Sequence, residues 1–128
     1  MIRYVGQLDR DGVNALYGSA RAGIMIYQPA DNAVDARPNK LFEYMAAGLP
    51  AIASDFPWWR QIIDSVQCGI CVDPTDPAAV RNACQYLLDH PKEGWQMGKN
   101  GHQAVMEKWN WSVEEKKLLS LYEAITKA

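Results

Sequence analysis

The sequence has 128 residues, a formal net charge of −2 and 48% hydrophobic residues, which fits one globular domain with a genuine core. Its near-neutral charge, without a basic patch, argues against nucleic acid as a partner. No apolar run approaches the ~20 residues that a membrane span needs, and the opening MIRYVGQLDRDG does not resemble a signal peptide. We expect membrane contact only through a further part of the protein.

Short apolar runs alternate with helical patterns along the chain. Strands are predicted at residues 2–5, 24–27, 50–53 and 68–72, and helices at about residues 13–20, 39–47, 58–64, 77–89, 92–109 and 112–128. This order predicts an α/β, Rossmann-like fold with a mostly parallel sheet and flanking helices. A doubly wound nucleotide-binding domain usually has five or six strands, so we expect the chain to lack the first strands of its fold.

The last three predicted helices carry clear start signals. Asp76 is expected to cap the first of them, with Pro77 in its opening position. Ser112 and Glu115 have the spacing of a capping box at the start of the last. We expect residues 1–111 to form the domain and residues 112–128 to form a terminal helix. The apolar stripe of that helix is predicted to pack on another part of the protein or on a second copy; it consists of Leu118, Leu121, Tyr122 and Ile125.

Three cysteines raise the question of redox or zinc chemistry. Cys68 and Cys71 form a CxxC pair in the apolar run CGICVD, and residues three apart on a strand point to opposite faces. A zinc site needs four ligands, and only His90 and His102 are available to complete one. We therefore expect reduced, buried thiols, no metal and a cytoplasmic setting.

The most informative segment is PNKLFEYMAAGLP, residues 38–50. Asn39 is predicted to cap a short helix and Gly48 to end it. Glu43 lies four residues after Asn39 and three after Lys40, so the three share one face near the helix N-terminus. Unpaired amides and the helix dipole favour a diphosphate there, and a carboxylate one turn further on suits the hydroxyls of a ribose. The alternative is that Glu43 merely pairs with Lys40 on a solvated face.

This segment resembles the donor-binding segment of retaining GT-B glycosyltransferases of group 1, family four, in a sub-branch that reads PNKLFEYMAAG. The family carries an acid, seven residues and a second acid in an EAMA-x-G-x-P context. Glu43 in FEYMAAGLPAIAS matches the second acid, and counting back eight residues gives Asp35 in NAVDARPNK, where the common form has Glu. The runs YVGQL, LYGSA, DFPWWRQII, CGICVDPTDPAAV and WNWSVEEKKLLSLYEAI follow in the family's order. The resemblance thus covers essentially the whole chain.

The resemblance implies a transferase that moves a sugar from a nucleoside diphosphate sugar to a hydroxyl acceptor with retained anomeric configuration and without a metal or other cofactor. It also implies roles for six residues: Glu43 at the ribose, Asp35 at the donor sugar, Asn39 and Lys40 at the diphosphate, and Gln7 and Leu8 at the base. The acceptor is expected to be a sugar or a lipid- or protein-linked group.

Two rival functions accompany this interpretation. One is a sugar-nucleotide epimerase of similar architecture, and the other is a binding module without catalysis. The N-terminal acceptor domain of the family has no counterpart in these residues, so we expect no turnover from this chain alone. In two-domain transferases of this type the final helix commonly crosses back to that domain.

Overall fold

The computed structural model describes residues 1–127. Its elements follow in chain order: α1 (Arg10–Ser19), β1 (Gly23–Met25), α2 (Asp31–Val34), α3 (Asn39–Ala46), β2 (Ala51–Ser54), α4 (Pro57–Val66), β3 (Gly69–Val72), α5 (Pro77–Asp89), α6 (Pro91–Glu107) and α7 (Trp111–Thr126). The three strands form one parallel sheet in the order β1-β2-β3. The predicted α/β class and parallel sheet are confirmed.

Helices cover both faces of the sheet, as they must when parallel strands are joined by crossover helices. Alternate residues of β2 face opposite ways, with Ala51 and Ala53 toward one core and Ile52 toward the other. The first core is built with α3, α4 and α6 and includes Leu41, Met45, Trp59, Ile63 and Val105. The second is built with α5 and includes Val72, Ala83 and Leu87.

The predicted strand at residues 2–5 is wrong. Residues 1–9 contain no strand, and the Ile2 side chain is fully exposed. A strand needs a neighbour for its backbone hydrogen bonds, and within residues 1–127 this segment pairs with none. The other three predicted strands are confirmed, although β3 begins at Gly69 rather than at Cys68.

Two of the predicted helix caps are also wrong. Pro38 occupies the cap position of α3, and Asn39 is the first helical residue, with no side chain capping the helix. Helix α7 begins at Trp111 because the Asn110 side chain accepts a hydrogen bond from the Val113 amide at 3.1 Å and thereby replaces the predicted Ser112 cap. The Asp76 cap of α5 is confirmed, since its Oδ1 accepts from the amide of residue 78 at 2.9 Å.

Helices α3 and α6 approach each other at glycines. Gly48 ends α3 with φ of 71°, as its position in the motif predicts. A Cβ atom on Gly98 of α6 would overlap the Gly48 carbonyl oxygen and lie 2.7 Å from the carbonyl carbon. The two backbones are therefore in direct contact. At the same helix end, His102 Nδ1 lies 2.8 Å from the Ala46 carbonyl oxygen.

The terminal helix α7 has no buried residue, and its stripe of Leu118, Leu121, Tyr122 and Ile125 is 42–62% exposed. Ala128, the last residue of the predicted helix, lies outside the described residues. No helix within residues 1–127 is both long enough and apolar enough to cross a membrane.

Candidate functional site

The residues of interest follow the carboxyl end of β1, the edge of an open α/β sheet where ligands bind. The loop that begins there is fixed at its root by Ser54, the last residue of β2. The fully buried Ser54 hydroxyl accepts from the Tyr27 amide at 2.8 Å and donates to the Tyr27 carbonyl at 2.9 Å. This side chain adds one more link between the two strands beyond the end of β1.

The far end of the same loop is anchored by Trp59, the fully buried tryptophan of α4. Its indole Nε1 donates to the Ala36 carbonyl at 2.7 Å. Arg37, the next residue, places its guanidinium 5.3 Å from the centre of the Trp58 ring. Asp35 closes the short helix α2 and has an exposed side chain. The backbone beside Asp35 is thus fixed, while its carboxylate faces solvent.

Glu43 is half-buried on α3, and its partner lies on α1. The Tyr17 hydroxyl donates to Glu43 Oε2 at 2.9 Å, and the Tyr17 ring packs edge-on against Tyr44 with ring centres 5.9 Å apart. Burial, together with the adjacent Glu43 carboxylate, raises the pKa of Tyr17 to about 12. The Tyr17 hydroxyl is therefore protonated at neutral pH and remains a donor.

This arrangement bears on the alternative that Glu43 pairs with Lys40. The ion pairs among residues 1–127 join Arg60 to Asp55 and Asp64, and Lys117 to Glu114. None joins Glu43 to Lys40. Glu43 thus has a neutral hydrogen-bond donor as its partner, and within residues 1–127 no cation forms an ion pair with it.

The N-terminus of α3 is open. Asn39 and Lys40 are exposed there, no side chain caps the helix, and its first turn contains no acidic residue. The first amides of a helix have no partner within the helix and carry a partial positive charge. With the Lys40 ammonium beside them, they form a surface that attracts an anion one turn away from Glu43.

Gln7 and Leu8 lie in the exposed segment just before α1. Asp9 caps that helix, and its Oδ1 accepts from the Gly12 amide at 2.8 Å. Within residues 1–127 no hydrogen bond joins Gln7 or Leu8 to Glu43. Their connection to α3 runs instead through α1 and its Tyr17.

Tyr17 was not predicted as a site residue, because Val13, Leu16, Tyr17 and Ala20 recur at helical spacing and Tyr17 thus falls in the apolar stripe of the predicted helix at residues 13–20. A tyrosine in such a stripe has a hydroxyl that needs a polar partner when it is covered. The need for a polar partner is the feature of the sequence that could have indicated a role for Tyr17. It does not identify the partner, which lies 26 residues further along the chain.

The CxxC cysteines lie on β3, in the case of Cys71, and just before it, in the case of Cys68. Cys68 is buried and Cys71 half-buried, both as free thiols. Burial raises their pKa values to about 11 and about 12, respectively. Thiolate is the form that reacts and binds metals, so both are inert at neutral pH. No group of three or more His, Cys, Asp or Glu within residues 1–127 is arranged to hold a metal ion.

Comparisons with known proteins match most of the chain. A family model described as glycosyl transferases group 1 matches residues 1–90. A phosphatidyl-myo-inositol mannosyltransferase of Mycobacterium leprae is 30% identical over 124 residues, which is 97% of this chain and 32% of the relative. The D-rhamnosyltransferase WbpZ of Pseudomonas aeruginosa is 29% identical over 100 residues, 77% of this chain and 26% of the relative.

The fold is also similar to that of a solved structure. Sucrose-phosphate synthase from Thermosynechococcus elongatus aligns with a TM-score of 0.80 and 28% identity, over 98% of this chain and 30% of the synthase. The chain therefore spans about a third, or less, of the length of the proteins that it matches.

Proposed function

Because this chain belongs to the group 1 glycosyltransferase family, we propose that it is the donor-binding part of a retaining transferase. The complete enzyme moves a sugar from a nucleoside diphosphate sugar to a hydroxyl on a sugar, lipid-linked or protein-linked acceptor. The relatives are about three times as long as this chain, so we place acceptor binding in a further domain. That domain would also supply any contact with the cytoplasmic face of a membrane.

The observation that carries the proposal is the environment of Glu43. One carboxylate oxygen is held by the Tyr17 hydroxyl, at 2.9 Å. A carboxylate repels phosphate but accepts hydrogen bonds from neutral hydroxyls, and charged acceptors make such bonds stronger. The 2′- and 3′-hydroxyls of a ribose, which form a neighbouring pair, are the matching group on a nucleotide. Glu43 would therefore hold the ribose.

The other donor groups fit around this contact. The open amide end of α3 and Lys40 lie three to four residues before Glu43, where the diphosphate would follow the ribose. Helix dipole and ammonium offset the charge of the leaving diphosphate, so this mechanism needs no metal. Asp35, exposed at the end of α2, is assigned to the hydroxyls of the donor sugar, and Gln7 and Leu8 to the border of the base.

Replacing Glu43 by Gln tests the ribose contact. We expect the affinity of full-length protein for uridine, guanosine or adenosine diphosphate to fall about tenfold or more in calorimetry, which is ~1.4 kcal/mol at 25 °C. Glu93→Gln is the matched control, because Glu93 also accepts from a tyrosine hydroxyl, that of Tyr86, between α5 and α6. Equal losses in both variants, or no loss in Glu43→Gln, contradict the ribose role.

Product analysis separates the proposed transferase from its rivals. A transferase releases the nucleoside diphosphate as the sugar joins the acceptor, and the anomeric configuration of the product reports retention. An epimerase changes the configuration of the nucleotide sugar without an acceptor. A binding module does neither while retaining nucleotide affinity.

A further inference from the structure

We infer that Tyr17 is a positioning residue for Glu43, and that it sets the preference of the site for ribose over 2′-deoxyribose. The inference rests on the proposed ribose role of Glu43. It concerns a different residue on a different helix, and the hydrogen bond between α1 and α3 is its first support.

The hydrogen bond restricts a flexible side chain. A glutamate has several rotatable bonds, and fixing them on ligand binding costs conformational entropy. In this chain the Tyr17 hydroxyl already holds Oε2 of Glu43 at 2.9 Å. The carboxylate plane is therefore largely oriented before a ligand arrives. The other oxygen, Oε1, accepts no hydrogen bond within residues 1–127 and is left for a hydroxyl pair.

The Tyr17 ring is itself held in place. It packs edge-on against Tyr44, whose own hydroxyl donates to the Ile24 carbonyl of β1 at 3.2 Å. The Tyr44 ring lies so close to Gly23 that a Cβ atom on Gly23 would overlap it. Tyr44 is thus fixed against the sheet, and Tyr17 is fixed against Tyr44. The Glu43 carboxylate is therefore held in its orientation by Tyr17, which Tyr44 holds in turn against β1.

A neutral hydroxyl, that of Tyr17, is also a suitable hydrogen-bond donor to Glu43 in a site that binds a diol. An ionised carboxylate offers about four acceptor positions, and the Tyr17 hydroxyl uses one of them. A lysine or arginine in the same place would neutralise the charge that strengthens hydrogen bonds to ligand hydroxyls. Tyr17 orients Glu43 and leaves that charge in place. Since its pKa is about 12, it does so at any physiological pH.

The test compares ribonucleotides with their 2′-deoxy counterparts. For Tyr17→Phe in the full-length protein, we expect the ratio of ribo- to deoxynucleoside diphosphate affinity to fall about threefold or more, with deoxynucleotide affinity within about twofold of wild type. The probes are uridine, guanosine and adenosine diphosphates and their 2′-deoxy forms, measured by calorimetry. Tyr86→Phe is the matched control, because it removes a tyrosine hydroxyl from a different glutamate, Glu93, in the first turn of α6.

Each other outcome decides against a specific claim. An unchanged ratio in Tyr17→Phe, with weakened ribonucleotide binding in Glu43→Gln, overturns the role of Tyr17 and keeps that of Glu43. Equal losses for ribo- and deoxynucleotides in Tyr17→Phe mean that Tyr17 only holds α1 in place, which also overturns the inference. Undiminished binding in Glu43→Gln removes the proposed ribose contact, and the role of Tyr17 with it.

Discussion

Replacing Gly98 by Ala should destabilise the protein by about 2 kcal/mol, although alanine is the better helix former. In the interior of α6 the substitution gains about 1 kcal/mol of helix propensity. Against this, the new methyl group would overlap the Gly48 carbonyl oxygen and lie 2.7 Å from the carbonyl carbon, where ordinary contact begins at 3.4 Å. Overpacking a core costs about 1–3 kcal/mol, and we take the upper end because the obstacle is backbone.

The expected structural response is a shift of α6 away from α3 by about 1 Å. Such a shift loosens Met45 and Cys68, which already lie 3.2 Å from the Cβ position of Gly101, the next glycine on α6. It also removes packing from α3, the helix that carries Glu43. We therefore expect weaker nucleotide binding alongside the lower stability.

Urea unfolding followed by circular dichroism measures the effect, and Gly18→Ala is the matched control. Gly18 lies in α1, where an added methyl group meets nothing within 4 Å. Its replacement should raise stability by a few tenths to about 1 kcal/mol. A Gly98→Ala variant with a urea midpoint equal to or above wild type would refute the reasoning, since the contact with Gly48 would then cost nothing.

Three further expectations concern other parts of the chain. The pKa of Tyr17 is raised from its ordinary value of 10 to about 12, so the stability that the protonated hydroxyl contributes is complete below pH 10 and is lost as the pH rises toward 12. Between these pH values the urea midpoint should fall more steeply in wild type than in Tyr17→Phe. Parallel curves for the two proteins would contradict this. Cys68 and Cys71, with raised pKa values, should react with a thiol reagent only after unfolding; rapid native labelling, a disulfide between them or stoichiometric zinc in metal analysis would contradict it. The exposed apolar stripe around Tyr122 should make this chain self-associate in sedimentation analysis. Deletion of residues 112–128 should abolish the association. A monomer with a protease-resistant tail would instead indicate that α7 packs on its own domain.

Much of the fold was accessible from the sequence because proline, glycine and aspartate mark the ends of its elements. Asp76 and Pro77 marked the start of α5, and Gly48 marked the end of α3. The α/β class follows from the order of the elements. The resemblance of residues 38–50 to group 1 glycosyltransferases is confirmed by the family match, and the likeness to sucrose-phosphate synthase confirms the GT-B type of fold.

The errors have local physical causes. The apolar pattern at residues 2–5 is typical of a strand, but a strand forms only where a neighbour pairs with it. Ser112 was predicted to cap the last helix, but Asn110, two residues earlier in the chain, is the cap. Its side-chain oxygen accepts a hydrogen bond from the Val113 amide. Neither outcome is encoded in the periodicity of the segment itself.

The candidate site was only partly predictable for a related reason. Glu43, Asn39 and Lys40 share one short helix, so their spacing places them together. The Tyr17 contact joins two helices and depends on how they pack, which local spacing does not specify. The roles of Asp35, Gln7 and Leu8 remain predictions for the binding experiments.

The hydrogen bond between Trp59 and the loop that follows β1 provides a natural spectroscopic probe of that loop. The indole proton of Trp59 is bonded to the Ala36 carbonyl, and its ring is fully buried, whereas Trp95 and Trp111 are about two-thirds exposed. In NMR spectra such a proton gives a resolved indole signal and exchanges slowly with deuterium while the loop stays closed. Because Ala36 adjoins Asp35, the exchange rate of this one proton would follow opening of the loop and its ordering by a nucleotide sugar, with no label introduced.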